Sequence, residues 1–130
     1  MEDKKIKVLV ADDEADFNQL MTFWLESKGY AVMAASSGES AIQIVKENNP
    51  DVVFMDLRMP VIDGVEAIKR IRKFNTDIPI IIISAFVDDP KVQEAIACGI
   101  SGVFNKNEDF NKKGLPLLES VLRTHKKLKS

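Results

Sequence analysis

The stretch IPIIII, residues 78–83, decides the fold. A run apolar at every position has no solvent side, so as a strand it needs cover on both faces. The interior of a parallel sheet flanked by helices supplies that cover. The segments on either side have the matching rhythm, short apolar runs alternating with longer amphipathic ones. Ile6 to Val10 reads as a first strand. Glu14 to Lys28 carries Phe17, Leu20, Met21, Trp24 and Leu25 at helical spacing, with Gly29 as its C-terminal stop. Ala31 to Ala35 is a weak, alanine-rich second strand suited to a sheet edge.

A capping-box spacing at Ser36-Ser37-Gly38-Glu39 opens a helix that runs to about Glu47. Val52 to Met55 is a third strand and Val65 to Lys73 a third helix. Pro90 after Asp89 starts the fourth helix, and Gly99 follows its end. Gly102 to Asn105 is a short fifth strand, and a last helix runs from Leu115 to about Lys127. Five strand–helix units make an α/β fold with a doubly wound parallel sheet in a single domain.

The bulk composition agrees. A chain of 130 residues, 45% hydrophobic and 29% charged, has enough apolar side chains for one real core. No apolar run approaches the roughly 20 residues of a membrane helix. The start, MEDKKIKVLV, is charged and does not read as a signal peptide. Cys98 is the sole cysteine, which excludes an internal disulfide and a cysteine zinc site. A net charge of −2 gives no footprint for nucleic acid, and the basic run RTHKKLKS (123–130) reads as a solvated last helical turn. The expected place is the cytoplasm.

In an open parallel sheet, ligands bind beyond the carboxyl ends of the strands. Strand one ends in Asp12 and Asp13, strand three in Asp56, strand four in Ser84 and strand five in Lys106. Asp12 could also cap the first helix. Two unit charges ~4 Å apart repel by about 4 kcal/mol at an effective dielectric near 20, so three converging carboxylates call for a cation or a shared proton. Oxygen ligands with room for water suit Mg²⁺. Ser84 would add a hydroxyl donor and Lys106 a mobile positive charge. Asp56 would then stand at its strand end as a nucleophile that accepts a phosphoryl group.

Those residues sit in VLVADD (8–13), MDLRMPVIDG (55–64), IIISA (81–85) and VFNK (103–106). In this order and spacing they resemble the receiver domain of two-component response regulators, over about Lys5 to Lys127. The resemblance implies a flavodoxin-like (βα)5 fold with strand order 2-1-3-4-5. It implies Asp56 as phosphoacceptor, Asp13 as a direct Mg²⁺ ligand, Asp12 as a ligand through water, and the backbone carbonyl of Arg58 as a further ligand. By the same resemblance Ser84 turns toward the phosphoryl group and Lys106 pairs with it. A sensor histidine kinase or histidine phosphotransfer protein is the expected donor. An output protein would be read through the fourth helix, fifth strand and fifth helix, a face on which such domains also form homodimers. The span 1–130 is expected to be one receiver domain with no effector domain.

Two positions depart from the family. Val103 stands where an aromatic residue usually swings inward, and alternation sends the adjacent Phe104 to the opposite face. Asn107 replaces the usual proline after the lysine. Arg58 and Phe86 fill variable positions that, in the family, influence how long the phosphoryl group survives. The alternative functions are an aspartate-nucleophile phosphatase and a receiver-like module that binds partners without phosphorylation. The first wants a second aspartate two positions after the nucleophile, where this chain has Arg58. The second does not need the constellation that this chain retains.

Overall fold

A computed structural model describes residues 5–86 and 88–127. The first four residues of MEDKKIKVLV and the last three of RTHKKLKS lie outside the described residues. Five strands, β1 (Lys7–Ala11), β2 (Ala31–Ala35), β3 (Val52–Asp56), β4 (Ile80–Ser84) and β5 (Gly102–Asn105), alternate with five helices. The helices are α1 (Ala15–Ser27), α2 (Gly38–Asn48), α3 (Gly64–Arg72), α4 (Pro90–Ala97) and α5 (Leu115–Thr124). The strands form one parallel sheet in the order β2-β1-β3-β4-β5.

The expected central strand is real: Ile80, Ile81, Ile82 and Ile83 are all 0% exposed. Alternation divides them between two cores. Ile80 and Ile82 join Leu9, Val53 and Met55 against Ala41, Val45, Ile68, Ile71, Val92 and Ala95 of α2, α3 and α4. Ile81 and Ile83 join Val8, Val10, Phe54 and Phe104 against Met21 and Leu25 of α1 and Leu118, Val121 and Leu122 of α5. The three-layer build follows from these two apolar faces.

Three local expectations change. The cap of α2 is Ser37, whose hydroxyl accepts from the amide of Ser40 at 3.1 Å, so the helix starts one residue later than a Ser36 cap would place it. β4 begins at Ile80 instead of Ile78, because Pro79 has no amide hydrogen and contributes only its carbonyl, to Val53 N–H. Between β5 and α5 the chain makes an unforeseen π-helical turn, Phe110–Gly114, capped by Asp109. Phe110 stacks on Trp24 at 5.6 Å and meets Phe54 and Phe104 edge-on, filling the space under the β5–α5 connection.

Candidate functional site

The sheet register builds the site. Ala11 lies opposite Met55, so the next residues, Asp12 and Asp56, leave neighbouring strands side by side. Asp56 pairs with Ile83 and Ser84 with Asn105, which brings Ser84 and Lys106 to the same edge. A cavity of about 260 Å³ opens there, with Asp13, Asp56, Arg58, Ser84, Phe86 and Lys106 in its wall. Asp12 is 0% exposed beneath it, Asp56 is 6% and Ser84 4%, while Asp13 faces solvent.

Asp12, Asp13 and Asp56 each offer a carboxylate oxygen within 4.8 Å of the others. The Lys106 ammonium lies 2.8 Å from Asp12 Oδ2 and 3.9 Å from Asp56, and it also contacts Glu14. Burial works to lower the Lys106 pKa, but the carboxylates of Asp12, Glu14 and Asp56 outweigh it and the pKa is raised. Asp56 is pushed up to about 7, first by burial and then by the charge of Asp12, against the pull of Lys106 and the Arg58 amide. One ammonium does not neutralise three carboxylates. Asp12 Oδ2, fully buried, accepts no well-aligned hydrogen bond and has only the ionic contact with Lys106. Hard oxygen donors, an excess of negative charge and an under-satisfied buried oxygen all fit a divalent cation such as Mg²⁺.

The remaining side chains are set by their own turns. Asp12 Oδ1 accepts the Glu14 amide at 2.8 Å, which fixes the turn before α1, but the N-cap of that helix is Glu14, without a side-chain cap bond, so Asp12 is not its cap. Ser84 is turned onto its own loop: its hydroxyl donates to the Phe86 carbonyl at 2.7 Å and accepts the Phe86 amide at 3.1 Å. Asp63 caps α3 by accepting the Glu66 amide at 2.9 Å. Arg58 N–H donates to Asp56 Oδ1 at 3.3 Å, and its guanidinium extends to Asp89. Asp89 is held below its ordinary pKa, first by the Arg58 hydrogen bonds. Val61 sits at φ 68, in a turn closed by Ile62 N–H to the Pro60 carbonyl at 2.9 Å, a conformation that β-branched residues avoid.

Val103 and Phe104 do face opposite sides of the sheet, with Val103 against the α2–α4 core and Phe104 buried in the other. The Lys106–Asn107 bond is trans. Asn107 Nδ2 donates to the Ala85 carbonyl at 3.1 Å, joining the β5–α5 connection to the β4–α4 loop.

Several supporting residues escaped the sequence reading. Asn18 is buried and donates to the carbonyls of Asp12 at 2.7 Å and Ala35 at 3.0 Å, tying the ends of β1 and β2. Its signal was present: a polar residue three before Met21 and seven before Leu25, on the apolar stripe of α1. Asp89 was legible as the start of α4 but not as the partner of Arg58, and the ion pairs of Glu14 and Lys91 carry no comparable signal.

Among the described residues, no helix is long and apolar enough to cross a membrane. The sequence model of the response regulator receiver domain matches residues 8–114. The chain is 33% identical to the transcriptional regulatory protein ZraR of Klebsiella oxytoca, over 95% of this chain but 28% of that protein. Its identity to the sporulation initiation phosphotransferase F of Bacillus subtilis is 32%, over 85% of this chain and 94% of the relative. Among solved structures it is similar to the chemotaxis protein CheY4 of Vibrio cholerae, with a TM-score of 0.82 and 31% identity over 92% of this chain and all (100%) of the other. An acidic cluster at the carboxyl edge of a 2-1-3-4-5 sheet and these matches lead to one assignment: the chain belongs to the response regulator receiver domains of two-component signalling.

Proposed function

We propose that Asp56 is the phosphoacceptor of a signalling switch, charged by a partner histidine kinase or histidine phosphotransfer protein. The observation that carries this is the meeting of Asp12, Asp13 and Asp56 within 4.8 Å, with Lys106 3.9 Å from Asp56. An Asp56 carboxylate oxygen attacks the phosphorus of the donor phosphohistidine. The new O–P bond forms as the N–P bond breaks, and the imidazole nitrogen keeps the electron pair. Lys106 then pairs with the phosphoryl oxygens, and Ser84 exchanges its bond to the Phe86 carbonyl for one to the phosphoryl group. Asp13 directly, Asp12 through water, Asp56 and the Arg58 carbonyl would hold Mg²⁺. When bound, the ion neutralises the crowded carboxylates and the phosphoryl oxygens.

The output is read on the face formed by α4, β5 and α5, by a partner or a second copy of the chain. A phosphatase reading gains no support, since Arg58 occupies the place of the second aspartate and turns its charge onto Asp89. The test is intact-mass spectrometry after incubation with acetyl phosphate. A single phosphoryl adduct is expected in the parent with Mg²⁺, and none in Asp56→Asn or in the parent with chelator. An adduct that survives Asp56→Asn would place the acceptor elsewhere.

Arg58 and the 68%-exposed Phe86 both stand in the wall of the cavity that Asp56 lines. Shielding of the acyl phosphate by these two side chains predicts that Arg58→Ala and Phe86→Ala each lose the phosphoryl group about three to ten times faster than the parent. Loss of the adduct followed by mass after donor removal checks this, and rates no faster than the parent's would count against it.

A further inference from the structure

A ring of charges ties the β3–α3 loop to the first turn of α4. Arg58 forks onto Asp89, Nε donating to Oδ2 at 2.8 Å and Nη2 to Oδ1 at 2.6 Å. Asp89 is the N-cap of α4 and accepts the Lys91 amide at 3.0 Å. The Lys91 ammonium returns to Asp63 at 2.8 Å, and Asp63 is the N-cap of α3. Each helix cap is thus the counter-ion of a cation from the other segment. Arg58 also reaches inward, its amide donating to Asp56 Oδ1 at 3.3 Å. A single residue therefore touches Asp56 with its backbone and the cap of α4 with its side chain.

The two ends of the Arg58–Asp89 pair differ in freedom. The Asp89 side chain is 5% exposed and that of Arg58 62%, so the guanidinium is the partner able to move. Arg58 and Asp89 line the same cavity as Asp56 and Lys106. A phosphoryl group on Asp56 would bring into that cavity an acceptor of higher charge than a carboxylate, one that also takes a guanidinium in fork geometry.

We propose that Arg58 carries the state of Asp56 to α4, exchanging the Asp89 carboxylate for the phosphoryl group and so loosening the first turn of α4. The inference rests on Asp56 being the phosphoacceptor. No covalent bond changes in this step, only the acceptor that the guanidinium serves. Asp89 keeps its cap bond to the Lys91 amide but loses both bonds to Arg58, which leaves Lys91–Asp63 as the ion pair between the two segments among the described residues. The route bypasses position 103, where Val103 has no ring to swing.

Hydrogen exchange read by mass spectrometry on the full chain, with and without acetyl phosphate and Mg²⁺, tests the exchange of partners. In the parent, amides over residues 91–95 are expected to exchange about fivefold faster once the adduct has formed. Asp89→Asn removes the charge but keeps a capping oxygen. It is expected to exchange fast without the phosphodonor and to gain nothing further with it. Lys91→Gln cuts the other side of the ring with the cap untouched and is expected to speed the same amides. A parent that takes up the phosphoryl group while these amides stay fixed overturns the inference and leaves the Asp56 assignment standing. So does an Asp89→Asn chain that still responds by the parental factor. A parent that forms no adduct overturns both.

Discussion

Without divalent cations, raising the pH from about 5 to about 8 is expected to lower the unfolding free energy by about 2 kcal/mol, and Asp56→Asn is expected to remove that loss. Burial and the neighbouring Asp12 charge move the Asp56 pKa from 3.8 up to about 7 in the folded chain. Between those values the folded state holds a proton that the unfolded state has released, so stability falls as pH rises. The contribution is fully present below the unfolded value of 3.8 and is lost as pH rises through about 7. At about 1.4 kcal/mol per unit the shift sets a ceiling near 4 kcal/mol, and water at the cavity mouth relieves part of it. Asparagine keeps the shape of Asp56 without its charge, so the variant is expected to be the more stable protein at pH 8. Urea unfolding at four pH values, with chelator, measures both slopes. Adding Mg²⁺ at pH 8 is expected to recover stability in the parent and to do less in Asp56→Asn, because a cation favours the ionised cluster. Equal slopes in the two proteins would mean that Asp56 carries no unusual charge strain.

The same crowding explains why the site was legible before any coordinates. An apolar run that stops on aspartate, as Val52–Met55 stops on Asp56, is a charge placed where burial is costly. Parallel strands then force every such strand end to one edge, so Asp12, Asp56, Ser84 and Lys106 had to be neighbours once the strand pattern was read. The fold was equally plain in Ile80–Ile83, whose burial on both faces leaves little choice of architecture. What could not be read depends on where loops settle. Arg58 and Asp89 are 31 residues apart, on two different strand–helix connections, and their pairing has no spacing rule. The π-helical turn Phe110–Gly114 lies in NEDFNKKG, a polar stretch whose single aromatic gives no period. Its conformation is decided by the fit of Phe110 against Trp24, Phe54 and Phe104, three residues from other elements. Asn18 lies between these cases, since its place on the apolar stripe was visible although its task was not.

Gly64→Ala is expected to lower the unfolding free energy by about 3 kcal/mol and to cut labelling by acetyl phosphate at least about tenfold. A Cβ at this position would lie 2.2 Å from the Asp56 carbonyl oxygen and 2.8 Å from Leu57 Cα. Both obstacles are backbone, so no side chain can turn aside to make room. Gly64 N–H donates to the Leu57 carbonyl at 3.0 Å, which means that α3 begins in contact with the strand end that carries Asp56. Making room for a methyl group must push α3 away or displace Asp56 and Leu57, and either movement disturbs the carboxylate cluster. Gly29 supplies the contrast: its φ is +93 and nothing lies within 4 Å of its Cβ position. Alanine there meets only the backbone preference of an L residue, about 1 kcal/mol, far from the cluster. Gly29→Ala is therefore expected to be mildly destabilised and to label at the parental rate. Urea unfolding and adduct formation, measured on both variants, separate a general loss of stability from a displaced site. If Gly64→Ala unfolds no more readily than Gly29→Ala and labels as well as the parent, the close approach of α3 does not hold Asp56 in place.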